Sequence, residues 1–213
     1  MQKVIAGLLA ASVAVVGFTF FGTLPGSPSS LEVMAVVTGA WSVWLLAQNR
    51  ALGWWIALVS IAAFGVVFYR VRLFAEVGIQ IFYFFTSMQA IWIWMRGGAQ
   101  GQERRVTRLP RRILLWTLPV FLVSLVLLRW VLIEINGAAP FWDALSTVMS
   151  LTAHIYLMLR FVESWWIWIA VDLIYVPLYA SRGLPLTSML YVGFLLISIS
   201  GLRRFRRLAG EDQ

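Results

Sequence analysis

Asp172 is a carboxylate near the middle of an apolar run, Trp165-Trp166-Ile167-Trp168-Ile169-Ala170-Val171-Asp172-Leu173-Ile174-Tyr175-Val176-Pro177-Leu178-Tyr179. In a helix, Trp165, Trp168, Asp172, Tyr175 and Tyr179 follow at spacings of 3, 4, 3 and 4 and share one face. Aromatic rings stack on flat molecules, and a carboxylate favours a positive charge. The face therefore suits a flat, polar, cationic small molecule. A carboxylate at the centre of a membrane span costs about 2.5–3.5 kcal/mol, so it needs a partner, a cavity or a function. A structural pair with His154 or Gln80 is the alternative use.

Other polar residues recur at helical spacing within apolar runs. Gln80, Tyr83, Ser87 and Trp94 form one series, with Glu76 a turn before Gln80. Asp143, Thr147, Ser150 and His154 form a second, and Thr38, Trp41 and Trp44 an aromatic third. The candidate binding set is Trp165, Trp168, Asp172, Gln80, Tyr83, Ser87, Trp44 and His154. Thr147 and Ser150 have a competing use, because Ser and Thr in membrane helices bond to their own backbone. Trp94 lies beside Arg96 and reads as an interface anchor. His154 reads equally as a packed polar residue or a proton-sensitive group. Pro119 and Pro177 fall inside spans and bend them.

These residues must be positioned by membrane helices. Of 213 residues, 61% are hydrophobic and 12% charged, more apolar surface than a soluble domain can bury. The mean hydropathy is +0.85 and the isoelectric point near 10.8. That basicity sits in short loops and at the C-terminus, the positive-inside pattern rather than a nucleic-acid surface. The chain has no cysteine, which excludes disulfides and thiolate chemistry. No metal or cofactor motif is found, and no nucleophile has a nearby base. Gly97-Gly98 and Gly101 read as a flexible linker without a phosphate-loop lysine.

Eight apolar spans are expected, at Val4–Leu24, Leu31–Ala47, Gly53–Tyr69, Leu73–Met95, Ile113–Ile133, Phe141–Leu159, Ser164–Ala180 and Leu184–Leu202. The fold class is an all-α polytopic membrane protein. The first span resembles a signal peptide, but its apolar run is long and a retained helix is preferred. Arginines in the loop Arg96–Arg112 and the tail Arg203–Arg207 place both on the cytoplasmic side, next to anionic lipid, with both termini inside.

Trp54-Trp55 and Trp165-Trp166 each begin a span, and Tyr69 and Tyr179 lie near the ends of the same two spans. Tyr179 minus Tyr69 is 110, as is Trp165 minus Trp55. This suggests parallel three-helix repeats, arranged as 1 + (3+1+3), with a site between the halves. The divisions are an extra helix (1–30), a first repeat (31–95), an Arg-rich loop (96–112), a linker helix (113–140), a second repeat (141–204) and a basic tail (205–213).

The chain resembles the PnuC-type vitamin transporter family from about Leu31 to Arg204. Gln80-Ile-Phe-Tyr83-Phe with Trp94 carries the resemblance in one half. Pro140-Phe141-Trp142-Asp143 and Arg160-Phe-Val-Glu163-Ser-Trp165-x-x-Trp168-x-x-x-Asp172 carry it in the other. The family pattern there is Glu-Asn-Trp-x-x-Trp-x-x-x-Asn, so Asp172 replaces an Asn. Ala90-Ile91 stands where a Gly-Trp pair is usual. The resemblance implies a SWEET-like core and uptake of nicotinamide riboside by facilitated diffusion across the inner (plasma) membrane. It implies functional coupling to a cytoplasmic kinase that traps the substrate by phosphorylation. Relatives carry thiamine or riboflavin; a carboxylate suits the cationic rings of thiamine and nicotinamide riboside. The expected partners are this vitamin substrate and membrane lipids, with a homo-oligomer left open and nucleic acid excluded. A sugar carrier of related fold and a non-transporting assembly protein are the competing readings. No cofactor and no enzymatic activity are expected.

Overall fold

The computed structural model describes residues 29–70, 72, 74–136, 139–181 and 185–211. The first expected span, Val4–Leu24, lies outside the described residues, as do the side chains of Glu76 and Tyr179. The described residues form helices α1 (Ser30–Ala47), α2 (Leu52–Arg70), α3 (Phe74–Arg96), α4 (Arg111–Glu134), α5 (Pro140–Met158), α6 (Glu163–Ser181) and α7 (Pro185–Glu211). Among them there is no strand beyond one isolated bridge. α7 does not stop at Leu202 as expected but continues to Glu211. Arginine and leucine are good helix formers, and no proline interrupts Arg203–Leu208.

α1, α2, residues 77–96 of α3, and α4 are long and apolar enough to cross a membrane. α5 and α6 are as long, but Asp143 and His154 in one and Asp172 in the other dilute their apolar character. α4 has no buried residue: Leu115, Trp116, Val126 and Trp130 all lie on its exposed surface. Such a surface is stable only in lipid or against another apolar surface.

The chain divides into two compact units, Met1–Trp92 and Ile93–Gln213. In the first, Ser29 caps α1, its Oγ accepting the Glu32 N–H at 3.2 Å. Small residues let α1 and α2 approach closely. Ser60 Oγ donates to the Ala35 carbonyl at 2.7 Å, and a Cβ on Gly39 would lie 2.9 Å from that hydroxyl. Without a hydrophobic drive between helices in lipid, close packing and such hydrogen bonds hold the pair. The α1–α2 turn places Asn49 at φ 55°, in the left-handed region asparagine tolerates.

In the second unit, α4 packs on α5, α5 on α6 and α6 on α7. α6 and α7 approach closely at Gly201 of α7, where a Cβ would lie 2.7 Å from the Trp165 ring of α6. Gly201→Val therefore destabilises this unit by about 1–3 kcal/mol through overpacking. Denaturation in detergent checks it; an unchanged midpoint would mean Trp165 can move aside.

Candidate substrate site

Asp172 sits mid-way along α6 and is 3% exposed. Ser198 Oγ of α7 donates to Asp172 Oδ2 at 3.0 Å. Among the described residues this is the carboxylate's only hydrogen bond, which leaves Oδ1 without a protein donor. The pairing with His154 considered from the sequence is not made. A buried carboxylate with one satisfied oxygen is an incomplete arrangement that a cation or donor would complete.

The aromatic residues that share its helix face divide by role. Trp165 is 1% exposed, packed on Gly201 and edge-to-face with Phe205 at 5.4 Å. Its indole N–H has no partner among the described residues. Trp168, a turn nearer Asp172, is half-buried. Tyr175 lies against Tyr191 of α7 at 4.7 Å. On α5, His154 is buried and Thr147 and Ser150 are half-buried. Ser146 and Thr152 turn their hydroxyls onto backbone carbonyls, at 3.2 and 2.8 Å. Thr147 and Ser150 make no such bond among the described residues, so the competing use foreseen for them is not realised.

The remaining candidates belong to the first unit. Trp44 is buried and meets Trp41 edge-to-face at 5.5 Å. Gln80 and Tyr83 are half-buried on α3, and Gln80 Cβ lies 3.8 Å from the Cβ position of Gly65 on α2. Ser87 is fully buried, and its Oγ has no partner among the described residues. Thr86 beside it bonds the Phe82 carbonyl at 2.8 Å.

Two expectations are corrected at the Arg-rich loop. Trp94 is not an interface anchor: it is fully buried, and its indole N–H is shared between the Leu157 and Met158 carbonyls at 3.2 and 3.1 Å. Both carbonyls lie at the end of α5; that of Leu157 also accepts the Arg160 N–H at 2.9 Å, and the indole supplies a donor to that of Met158. The Gly97–Gly101 stretch is not a loose linker. A Cβ on Gly97 or Gly98 would lie 2.5 or 2.6 Å from a backbone carbonyl, and Gly98 N–H bonds the Gln102 carbonyl at 2.9 Å.

The loop is instead clamped to the α5–α6 turn. Arg160, at φ 57°, places its guanidinium 4.2 Å over the Trp94 ring. It donates to the Glu103 carboxylate and to the Arg104 carbonyl. Burial draws the Arg160 pKa down, and the hydrogen bond and charge of Glu103 oppose this. Arg104 Nε donates to the Leu159 carbonyl at 3.0 Å, and Glu163 Oε2 accepts the Leu109 N–H at 2.8 Å. Thr107 pairs with the turn on both sides, through Arg160 O and Val162 N at 3.1 Å each. Arg160 and Glu163, singled out only through the family resemblance, thus have structural partners. Ser198 was not foreseen; its only signal was a hydroxyl within an apolar run.

A buried carboxylate on an aromatic helix face, in a chain with four helices long and apolar enough to cross a membrane, fits the class of membrane transporters. The chain belongs to the Nicotinamide mononucleotide transporter family, whose sequence profile matches residues 29–207. It is similar to the nicotinamide riboside transporter PnuC of Escherichia coli K12, with 25% identity over 86% of this chain and 87% of that one. The PnuC of Neisseria mucosa is also 25% identical, over 84% of this chain and 73% of its own. In fold the chain resembles the crystal structure of the vitamin B3 transporter PnuC. The TM-score is 0.74 at 23% identity, over 100% of this chain and 94% of that one.

Proposed function

We propose that this transporter carries nicotinamide riboside, with Asp172 as the counter-charge to its pyridinium ring. The observation behind this reading is the buried carboxylate held by Ser198 through one oxygen and open at the other. Trp168 is the stacking surface, and cation–π attraction contributes about 0.5–2 kcal/mol. Gln80, Tyr83, Ser87, Trp44, Trp165 and His154 complete the proposed set and serve the amide and hydroxyl groups. The riboside is preferred to the mononucleotide because a phosphate monoester needs unengaged cations. Arg160, the buried guanidinium among the described residues, is already held by Glu103. Thiamine, with its cationic ring, is the second candidate that Asp172 favours.

We further propose the 1 + (3+1+3) arrangement, with residues 31–95 and 141–204 as parallel repeats. The two turns support it at an offset one residue longer than the tyrosines suggest. Arg160 minus Asn49 is 111, and both take left-handed φ, 57° and 55°. The Arg50 N–H bonds Leu45 O at 3.0 Å, and its counterpart Phe161 N–H bonds Tyr156 O at 2.9 Å. Trp54 and Trp165, also 111 apart, are each 1% exposed. The same offset matches Ser87 with Ser198 and Ile61 with Asp172. On this reading Ser87 has no partner among the described residues because the first repeat has no carboxylate at the matching position.

The proposed setting is the inner membrane with both termini cytoplasmic. Movement is facilitated diffusion by alternating access, made one-way by a cytoplasmic kinase. A homo-oligomer would cover part of α4. Purified protein in liposomes is expected to take up nicotinamide riboside saturably without ATP or an ion gradient. Trp168→Ala should weaken apparent affinity roughly 3- to 30-fold. Saturable uptake of a sugar with none of any vitamin would overturn the assignment, as would uptake indifferent to Trp168.

A further inference from the structure

We infer that the exposed end of α7 and the start of α6 form a binding site for the headgroup of an anionic phospholipid. Arg206 of α7 places its guanidinium 5.0 Å over the ring of Trp166 on α6, and that indole is 49% exposed. Stacking orients the guanidinium while leaving its N–H donors available, and a guanidinium fork matches phosphate oxygens. Arg203 and Arg207 are exposed on the same side of α7, one helical turn apart. None of these three arginines has a carboxylate partner among the described residues. The inward side of the same segment is apolar and buried, through Leu202, Phe205 and Ala209.

The ligand is a lipid rather than a free phosphate because an apolar stripe leads up to the charges. On α7, Val192 and Leu196 are exposed and precede Arg203 and Arg207 at helical spacing. On α6, exposed Leu173 lies two turns from Trp166 on the same face. An acyl chain covers Leu196 and Val192 while the phosphodiester meets Arg203 and Arg206. α7 has 27 residues and spans about 40 Å, longer than a hydrocarbon core of about 30 Å, so its last turns reach the headgroup layer. Trp166 sits at the boundary, where an amphipathic ring is favoured.

The test is lipid retention by the full chain in phosphatidylcholine nanodiscs doped with phosphatidylglycerol, read by native mass spectrometry. Wild type is expected to retain phosphatidylglycerol in preference to phosphatidylcholine. Arg203→Gln, Arg206→Gln and Arg207→Gln should each lower that preference about fivefold. Trp166→Leu should lower it too, with all charges retained. The double variant Arg111→Gln/Arg112→Gln, equally basic but on α4, should leave it unchanged. Equal retention of both lipids by wild type would overturn the site. So would an equal loss in the α4 variant, which would mean a diffuse charge effect. Inorganic phosphate displacing phosphatidylglycerol at millimolar concentration would reassign the arginines to a soluble anion and also refute the lipid.

Discussion

Asp172→Leu is expected to weaken nicotinamide riboside binding about 10- to 100-fold while the protein stays folded. The magnitude follows from a charge-assisted interaction of about 1.5–3 kcal/mol, with tenfold in affinity for each 1.4 kcal/mol. The leucine has similar bulk and removes a buried charge from the centre of α6. Its insertion cost falls, so the unfolding midpoint should hold or rise even as binding is lost. Only the Ser198 hydroxyl loses a partner. Asp172→Asn should fall between: it keeps an acceptor for Ser198 and a dipole toward the substrate but loses the charge. Binding by calorimetry, paired with thermal unfolding of the same samples, separates the two effects. A fall in stability parallel to the loss of binding would mean Asp172 is structural.

The second large effect is on stability and lies away from the substrate. Arg160→Ala should cost about 3 kcal/mol, the scale of losing a desolvated cation–π contact and charge-assisted hydrogen bonds together. For a chain of this size that is a fall of roughly 6–12 °C in the unfolding midpoint. Glu103→Gln should cost under about 1 kcal/mol, because its carboxylate is 64% exposed and largely screened. The asymmetry arises because Arg160 also bonds the Arg104 carbonyl and covers Trp94. Equal effects of the two substitutions would show that the ion pair alone holds the loop. Substrate affinity should change little in either variant, since the clamp lies at the α5–α6 turn, away from Asp172 on α6.

The residues that were legible in the sequence are those whose own segment reveals them. Apolar runs mark the helices, and the 3–4 spacing puts Trp165, Trp168 and Asp172 on one face of α6. What escaped depends on a neighbouring element. Ser198 is 26 residues from Asp172, and only packing of α7 on α6 turns an ordinary serine into its partner. Trp94 reads as interfacial beside Arg96, yet its indole is buried and bonds the carbonyls at the end of α5. The Gly-rich stretch suggested slack where the glycines instead allow close backbone approach. Arg160 adopts left-handed φ without being Gly or Asn, which no local preference anticipates.

On the proposed function, Asp172 selects a cationic ring by charge. The direct measurement is a pair of calorimetric titrations, one with nicotinamide riboside and one with its neutral dihydro form, on wild type and on Asp172→Asn. The two ligands share ribose and amide and differ in the charge of the ring. Wild type is predicted to bind the cation about tenfold or more tightly, and Asp172→Asn is predicted to lose most of that preference. Equal affinities in wild type, or a preference that survives in Asp172→Asn, would mean that Asp172 does not select the ring by its charge.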